Sequence, residues 1–173
     1  MDDSIIPTIG IDNSSILFQL PDGSIVKVNI MDTAGQERYD AINTNYYRNA
    51  DCCLLVYDIT SKKTFDKIKK YYVSQIKQYG NKIKKIVLLG NKTDLKNNRE
   101  VTREEGLKLA KENNYIFNET SCKTKYNVAD SFTTLIIMTN TELKKGNRAN
   151  SNDNINKEKR KLKKGKEKKN KFC

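Results

Sequence analysis

Asp32-Thr33-Ala34-Gly35-Gln36-Glu37 is the stretch that decides how this chain is read. It follows Ser24-Ile25-Val26-Lys27-Val28-Asn29-Ile30-Met31, an alternating apolar run with the period of a strand, so Asp32 is expected where a strand ends and a loop begins. A carboxylate there can face a metal ion, directly or through water. Gly35 has no Cβ, so its backbone N–H can come close to a phosphate oxygen. The Gln36 amide carries a donor and an acceptor and can hold a water in line with a phosphorus atom. Six residues decide little alone, and their weight depends on what surrounds them.

Immediately upstream, residues 14–20 form a second strand-like run, joined to residues 24–31 by Pro21-Asp22-Gly23, and the pair reads as an antiparallel hairpin. Before it, Pro7 and Gly10 bracket Thr8 in a loop. Downstream, residues 36–48 are polar and weakly helical. Cys52-Cys53-Leu54-Leu55-Val56-Tyr57-Asp58 is then continuously apolar up to Asp58, the mark of a strand buried on both faces of a parallel sheet. Ser61 can cap a helix to about residue 79, with Phe65, Ile68, Tyr72 and Ile76 on one face. Ile86-Val87-Leu88-Leu89-Gly90 is a second buried strand, and Tyr115-Ile116-Phe117 a short third. Between them Thr102-Arg103-Glu104-Glu105 fits a capping box and opens a helix carrying Leu107, Leu109 and Ala110. Val128, Phe132, Leu135, Ile136 and Leu143 line a last helix. This alternation predicts an α/β fold with right-handed connections and ligands at the carboxyl ends of the strands.

Charge divides the chain in two. Residues 144–173 hold 13 Lys+Arg against 3 Asp+Glu, a net of +10 out of +12 for the whole. The expected organisation is a nearly neutral domain over 1–143 and a basic tail over 144–173, too polar to bury a core and therefore read as disordered. The four cysteines match no zinc spacing, the chain has no histidine, and no long apolar segment or signal peptide is evident. A reducing compartment without disulfides is the expectation.

Two further polar stretches follow buried strands. Asn91-Lys92-Thr93-Asp94 places a carboxylate that can accept two N–H bonds from guanine, which adenine cannot offer. The lysine stem can lie along a purine face, and the asparagine can tie loops together. By itself such a tetrapeptide is more often a turn that caps the next helix. Glu119-Thr120-Ser121-Cys122-Lys123 can offer a backbone N–H to the guanine O6, although alone it reads as a polar loop.

Order and spacing change those readings. A P-T-I-G loop, then D-T-A-G-Q-E, N-K-T-D and E-T-S-C-K, each at a strand end, together resemble the Rab family of Ras-like small GTPases from about Ile5 to Leu143. Tyr46-Tyr47-Arg48 and Val56-Tyr57-Asp58 are similar to Rab flanking sequence too. The resemblance implies a three-layer P-loop NTPase fold of the small GTPase type, a mixed sheet with helices on both faces. It implies GTP or GDP with Mg2+ as cofactors. Thr8 would meet magnesium and the γ-phosphate, Asp32 would hold magnesium through water, and Thr33, Ala34 and Gly35 would line the γ-phosphate. Gln36 would be the catalytic residue that positions water. Asn91, Lys92 and Asp94 would read guanine, helped by Ser121, Cys122 and Lys123. Ile5-Ile6-Pro7-Thr8-Ile9-Gly10-Ile11-Asp12-Asn13 would be the effector loop. Met31 stands where Rab proteins usually have tryptophan, on an aromatic surface touched by effectors.

No G-x-x-x-x-G-K-[ST] stretch occurs, Gly165-Lys166 being followed by Glu167, and seven residues precede Thr8. The fold is therefore expected to be N-terminally incomplete, without the family's first strand, phosphate loop and first helix. Either the chain is an incomplete product of a longer coding sequence, the preferred explanation, or it is a shortened paralogue. Hydrogen bonds to charged groups contribute roughly 1.5–3 kcal/mol each, so lacking about five lowers nucleotide affinity by on the order of 7–15 kcal/mol. The missing strand would lie between the hairpin and residues 52–58. Its absence should leave a gap or force a new pairing, and the missing helix should uncover apolar sheet surface.

The chain ends Lys169-Asn170-Lys171-Phe172-Cys173, where Rab proteins carry prenylated cysteines. One prenyl group on Cys173 plus a polybasic stretch supplies two membrane signals. The expected partners are guanine nucleotide, a cytoplasmic membrane face, and Rab effectors and regulators, met as a monomer with a cytosolic pool. Nucleic acid is not expected, since the tail has a single aromatic, Phe172, and no recognised module. The implied function is a GTP/GDP switch in vesicle traffic; the alternative is a membrane-tethered interaction module that does not bind nucleotide.

Overall fold

The computed structural model describes residues 11–33 and 40–146. Strands β1 (Ile11–Gln19) and β2 (Ile25–Thr33) pair antiparallel, from Ile11↔Thr33 to Gln19↔Ile25. Gly23 takes φ +81°, a value that favours glycine, and Asp22 Oδ1 accepts from the Ser24 N–H and Oγ at 3.1 and 2.5 Å. Both strands outrun their apolar stretches, because a backbone ladder needs no apolar side chain. Asp32 is the penultimate residue of β2, at the strand's end as expected, and Ile11, Asp12 and Asn13, expected in a loop, are strand residues.

Three parallel strands form the core sheet in the order β3 (Cys52–Asp58), β4 (Lys85–Asn91), β5 (Ile116–Glu119). Leu55 and Leu88 face the larger cluster, closed by Phe65, Ile68, Val73 and Ile76 on one side and Leu109 and Ala110 on another. Val87 and Leu89 face the opposite way, against Leu135 with Cys52, Leu54 and Ile116 around them. Helices thus cover both faces: α2 (Lys62–Lys67), α3 (Val73–Tyr79) and α4 (Arg103–Asn113) on one, and α5, described over residues 128–146, on the other. A further helix, α1 (Asp40–Asn49), packs against α3, with Arg48 5.4 Å above the Tyr79 ring.

Two local expectations are corrected. Ser61 is the N-cap of α2, but its hydroxyl caps nothing; the first helical N–H, of Lys62, donates instead to Glu100 Oε2 at 2.8 Å. The helix then widens to π geometry over Ile68–Tyr72 before α3. That turn moves the next core position from Tyr72, half-buried, to Val73, buried. The capping box of α4 forms as read, with Thr102 and Glu105 exchanging bonds at 2.9 and 3.2 Å.

Of the two outcomes expected for the hairpin, the structure has the gap. β1–β2 and β3–β4–β5 are separate sheets, and β3 pairs only with β4 among the described residues. The reading of β3 as buried on both faces is corrected: Leu55 and Tyr57 are buried, Cys52, Cys53 and Leu54 are half-buried, and Val56 is 52% exposed, because the cluster under α5 reaches only Cys52 and Leu54 of this strand. Burial pushes the Cys53 thiol up to about 12, so it is inert, and Cys52, Cys53 and Cys122 are all free thiols.

Candidate functional site

The carboxyl ends of β3, β4 and β5 end on Asp58, Asn91 and Glu119, and the loops that leave them interlock. Asn91 does what its position suggested: its Oδ1 accepts from Thr120 Oγ1 at 3.3 Å and from the Cys122 N–H at 3.2 Å, tying one loop to the other. Thr93 reinforces the tie, its N–H and Oγ1 both donating to the Thr120 carbonyl at 3.1 Å. Ser121, fully buried, donates from Oγ to Asp94 Oδ1 at 2.5 Å and accepts from the Thr124 N–H at 3.2 Å. Asp94 itself is exposed, and its Oδ2 has no protein donor among the described residues. One carboxylate oxygen is thus fixed by Ser121 while the other, on an exposed residue, is left for a ligand, a fit to a planar edge that offers N–H groups.

Sequence reading left Asp58 as flanking sequence, yet it belongs to this rim. Lys92 Nζ lies 2.7 Å from Asp58 Oδ2, and Asp58 Oδ1 accepts from Thr60 N–H at 2.8 Å and Thr60 Oγ1 at 2.7 Å. Burial opposes ionisation of Asp58, but the hydrogen bonds from Lys92 and Thr60 outweigh it and hold the carboxyl below its usual range. The signal that could have found it is its register: Asp58 pairs with Asn91 at the last rung of the parallel ladder. Arg99 clamps Glu119 with two bonds of 2.6 and 3.1 Å and so braces the third loop.

The backbone here is unusual. Lys92, Lys125 and Asn127 all take positive φ, at 71°, 62° and 54°, in the two loops that make the site. Asn127 adopts such a value readily, as Asn114 does at the end of α4, whereas a lysine holds it only where the surroundings impose it, and such residues gather at functional sites. Cys122 and Lys123 are exposed beside Asn91. Since the Cys122 N–H is already donated to Asn91, the Lys123 N–H is the next in the loop without a protein acceptor among the described residues.

The other half of the expected site is reached only at its edge. Asp32 and Thr33 close β2, and Asp32 stands opposite Asp12 in the hairpin register. Like charges in that position repel, and hard oxygen donors of this kind fit a magnesium ion. Thr8, Ala34, Gly35 and Gln36 lie outside the described residues, as do Ile5, Ile6, Pro7, Ile9 and Gly10 of the expected effector loop and the terminal Cys173. The structure therefore brings together Asn91, Lys92, Asp94, Ser121, Cys122 and Lys123.

A model of the Ras family matches residues 1–141. The chain is 43% identical over 149 residues to the human Ras-related protein Rab-8B, an alignment that covers 86% of this chain and 71% of that protein. It is 44% identical over 132 residues to the GTP-binding protein ypt2 of Schizosaccharomyces pombe, covering 76% and 65%. Against the Ras-related protein RABA6a of Arabidopsis thaliana it is 43% identical over 130 residues, covering 75% and 55%.

Proposed function

This chain belongs to the Ras family of small GTPases and is Rab-like, and on that premise we propose that it is a guanine-nucleotide switch of vesicle traffic. The observation that carries the reading is the Asp94 carboxylate, steadied at Oδ1 by buried Ser121 and with acceptor capacity left on both oxygens for the N–H pair of guanine. Lys92 would lie along the purine, and the loop of Ser121, Cys122 and Lys123 would offer a backbone N–H to O6, that of Lys123 having no protein acceptor among the described residues. Thr8, Thr33, Ala34 and Gly35 would surround the γ-phosphate, and Thr8 and Asp32 would hold magnesium, which neutralises phosphate charge. Gln36 would orient the water for hydrolysis. Ordering of the loops around Thr8 and Gly35 would then be the state that effectors read across Ile5, Ile9 and Asn13.

Attachment to a cytoplasmic membrane face belongs to the same proposal, through a prenyl group on Cys173 and the basic tail. Next to the tail, Lys85 and Lys145 lie 3.9 and 3.2 Å from Glu142, and Lys144 lies 2.8 Å from Asp22. Each basic residue near an anionic leaflet adds roughly 1 kcal/mol. No described helix is long and apolar enough to cross a membrane. Intact mass of protein purified from cells tests the lipid: an unmodified C-terminal peptide ends that part of the proposal.

The primary test is to purify the 173-residue chain with magnesium, denature it and analyse the released nucleotide. Near-stoichiometric GDP or GTP would support the switch and show that the remaining loops compensate for the absent phosphate loop, and Gln36→Leu should then slow phosphate release without changing nucleotide content. A folded, nucleotide-free product would support a second reading, a membrane-tethered interaction module. The separation of the hairpin from the parallel sheet favours that second reading, since among the described residues no ladder joins β2 to the sheet that carries the base-side loops.

A further inference from the structure

We infer that Asp58 is a positioning residue for Lys92, anchoring its ammonium on the rim of the base site and keeping it off Asp94. The inference rests on the guanine reading above and adds to that site a residue from a different strand. Lys92 and Asp94 are two residues apart on one loop, and Lys92 has a long flexible stem, half exposed. Left unheld, its ammonium could pair with the Asp94 oxygen that faces outward and compete there with the N–H groups of a base. Three features prevent this. The left-handed backbone at Lys92, φ 71° and ψ 36°, sets where the side chain departs, and its Nζ ends 2.7 Å from Asp58 Oδ2. Asp58 cannot follow the lysine outward, because Thr60 holds its Oδ1 with two bonds and the Asp58 N–H donates to Thr64 Oγ1 at 3.0 Å. Asp94 is turned by Ser121 toward the neighbouring loop, with Oδ1 occupied. The two carboxylates thus divide the work: Asp58 takes the protein's own cation, and Asp94 stays open for the ligand.

The test compares unsubstituted protein, Asp58→Asn, Lys92→Met and the double variant, with two readouts. The first needs no nucleotide: limited acetylation of nucleotide-free protein, followed at Lys92 by mass spectrometry and normalised to Lys96 and Lys123. Asp58→Asn should raise the Lys92 rate about fivefold, equivalent to about 1 kcal/mol. The second is the ratio of dissociation constants for GDP and inosine diphosphate, which lacks the exocyclic amine read by Asp94. Asp58→Asn should narrow that ratio about fivefold at low salt and less at 0.5 M salt, where the freed ammonium is screened. The double variant should regain the discrimination, since no ammonium remains to pair with Asp94. An additive loss in the double variant, or an unchanged Lys92 rate in Asp58→Asn, overturns the inference. Unsubstituted protein that binds no guanine nucleotide overturns the functional reading, and this role with it. Binding with an unchanged ratio in Asp58→Asn overturns this inference alone. Should Asp58→Asn fail to fold, Thr60→Val loosens the same carboxylate and should shift both readouts in the same direction.

Discussion

The hairpin and the parallel sheet are made from similar apolar material and end in different states. β1 and β2 are nine residues each, longer than any strand of the core sheet, yet between residues 12 and 33 only Leu20 is buried. Val26, Val28 and Ile30 reach half-burial, while Leu17 and Ile25 remain 75% and 65% exposed. In β4, by contrast, Val87, Leu88, Leu89 and Gly90 are all buried. Ladder hydrogen bonds replace bonds to water and contribute little net, whereas each Å² of apolar surface removed from water contributes roughly 25 cal/mol. Coverage by helices, not ladder length, separates the two regions.

The sharpest way to break that contrast is truncation on both sides. Leu88→Ala, at a site with no exposure, is expected to destabilise by about 2–5 kcal/mol in chemical denaturation. Leu17→Ala, on the hairpin, should stay within about 0.5 kcal/mol of the parent. Equal losses would mean that the hairpin is covered after all. Amide exchange gives the same contrast without substitution, with β1 and β2 amides expected to exchange at least about tenfold faster than those of β4.

A subtler test uses the glycine of α4. A Cβ at Gly106 would come within 2.5 Å of the Tyr57 hydroxyl and 2.6 Å of Phe117 Cε2, and the Tyr57 hydroxyl is buried with no hydrogen-bond partner among the described residues. Gly106→Ala should therefore cost about 1–3 kcal/mol through overpacking, despite a gain in helix propensity. A stabilised variant would show that α4 can shift on the sheet.

Asp58 gives a pH signature on the well-covered side. Its carboxyl sits below the ordinary value in the folded state, so the stability it contributes is present above about pH 3.9 and is lost as pH falls through the folded value. Asp58→Asn should flatten that part of the stability–pH curve while leaving its shape near pH 7 unchanged. The smallest effect is expected at the hairpin turn, where Asp22 meets Lys144 in solvent. Asp22→Asn should leave the unfolding midpoint unmoved at moderate salt, since exposed pairs contribute little. A clear shift would reveal a hairpin pinned to α5 more firmly than its burial implies.

Much of this was legible in the residues. The turn chemistry of Pro21-Asp22-Gly23, the unbroken apolar runs of β3 and β4 and the capping box at Thr102 each act over a few neighbours, so local pattern was enough. Where the reading slipped, a distant group had intervened. Glu100 displaced the Ser61 hydroxyl as the helix cap, and a π turn exchanged Tyr72 for Val73 in the core. Polar ends of β1 and β2 joined a ladder that their composition does not advertise.

The sequence alone determined the order of strands and helices and, through the resemblance its motifs carry, singled out Asn91, Lys92, Asp94, Ser121, Cys122 and Lys123 as members of one candidate site. Only the tertiary structure decided that Ser121 secures Asp94 and that Asp58 holds Lys92. It also decided that the hairpin stands apart from the parallel sheet. These are meetings between residues up to 34 positions apart, and such a meeting exists only once parallel strands lie side by side and bring their carboxyl ends to one edge.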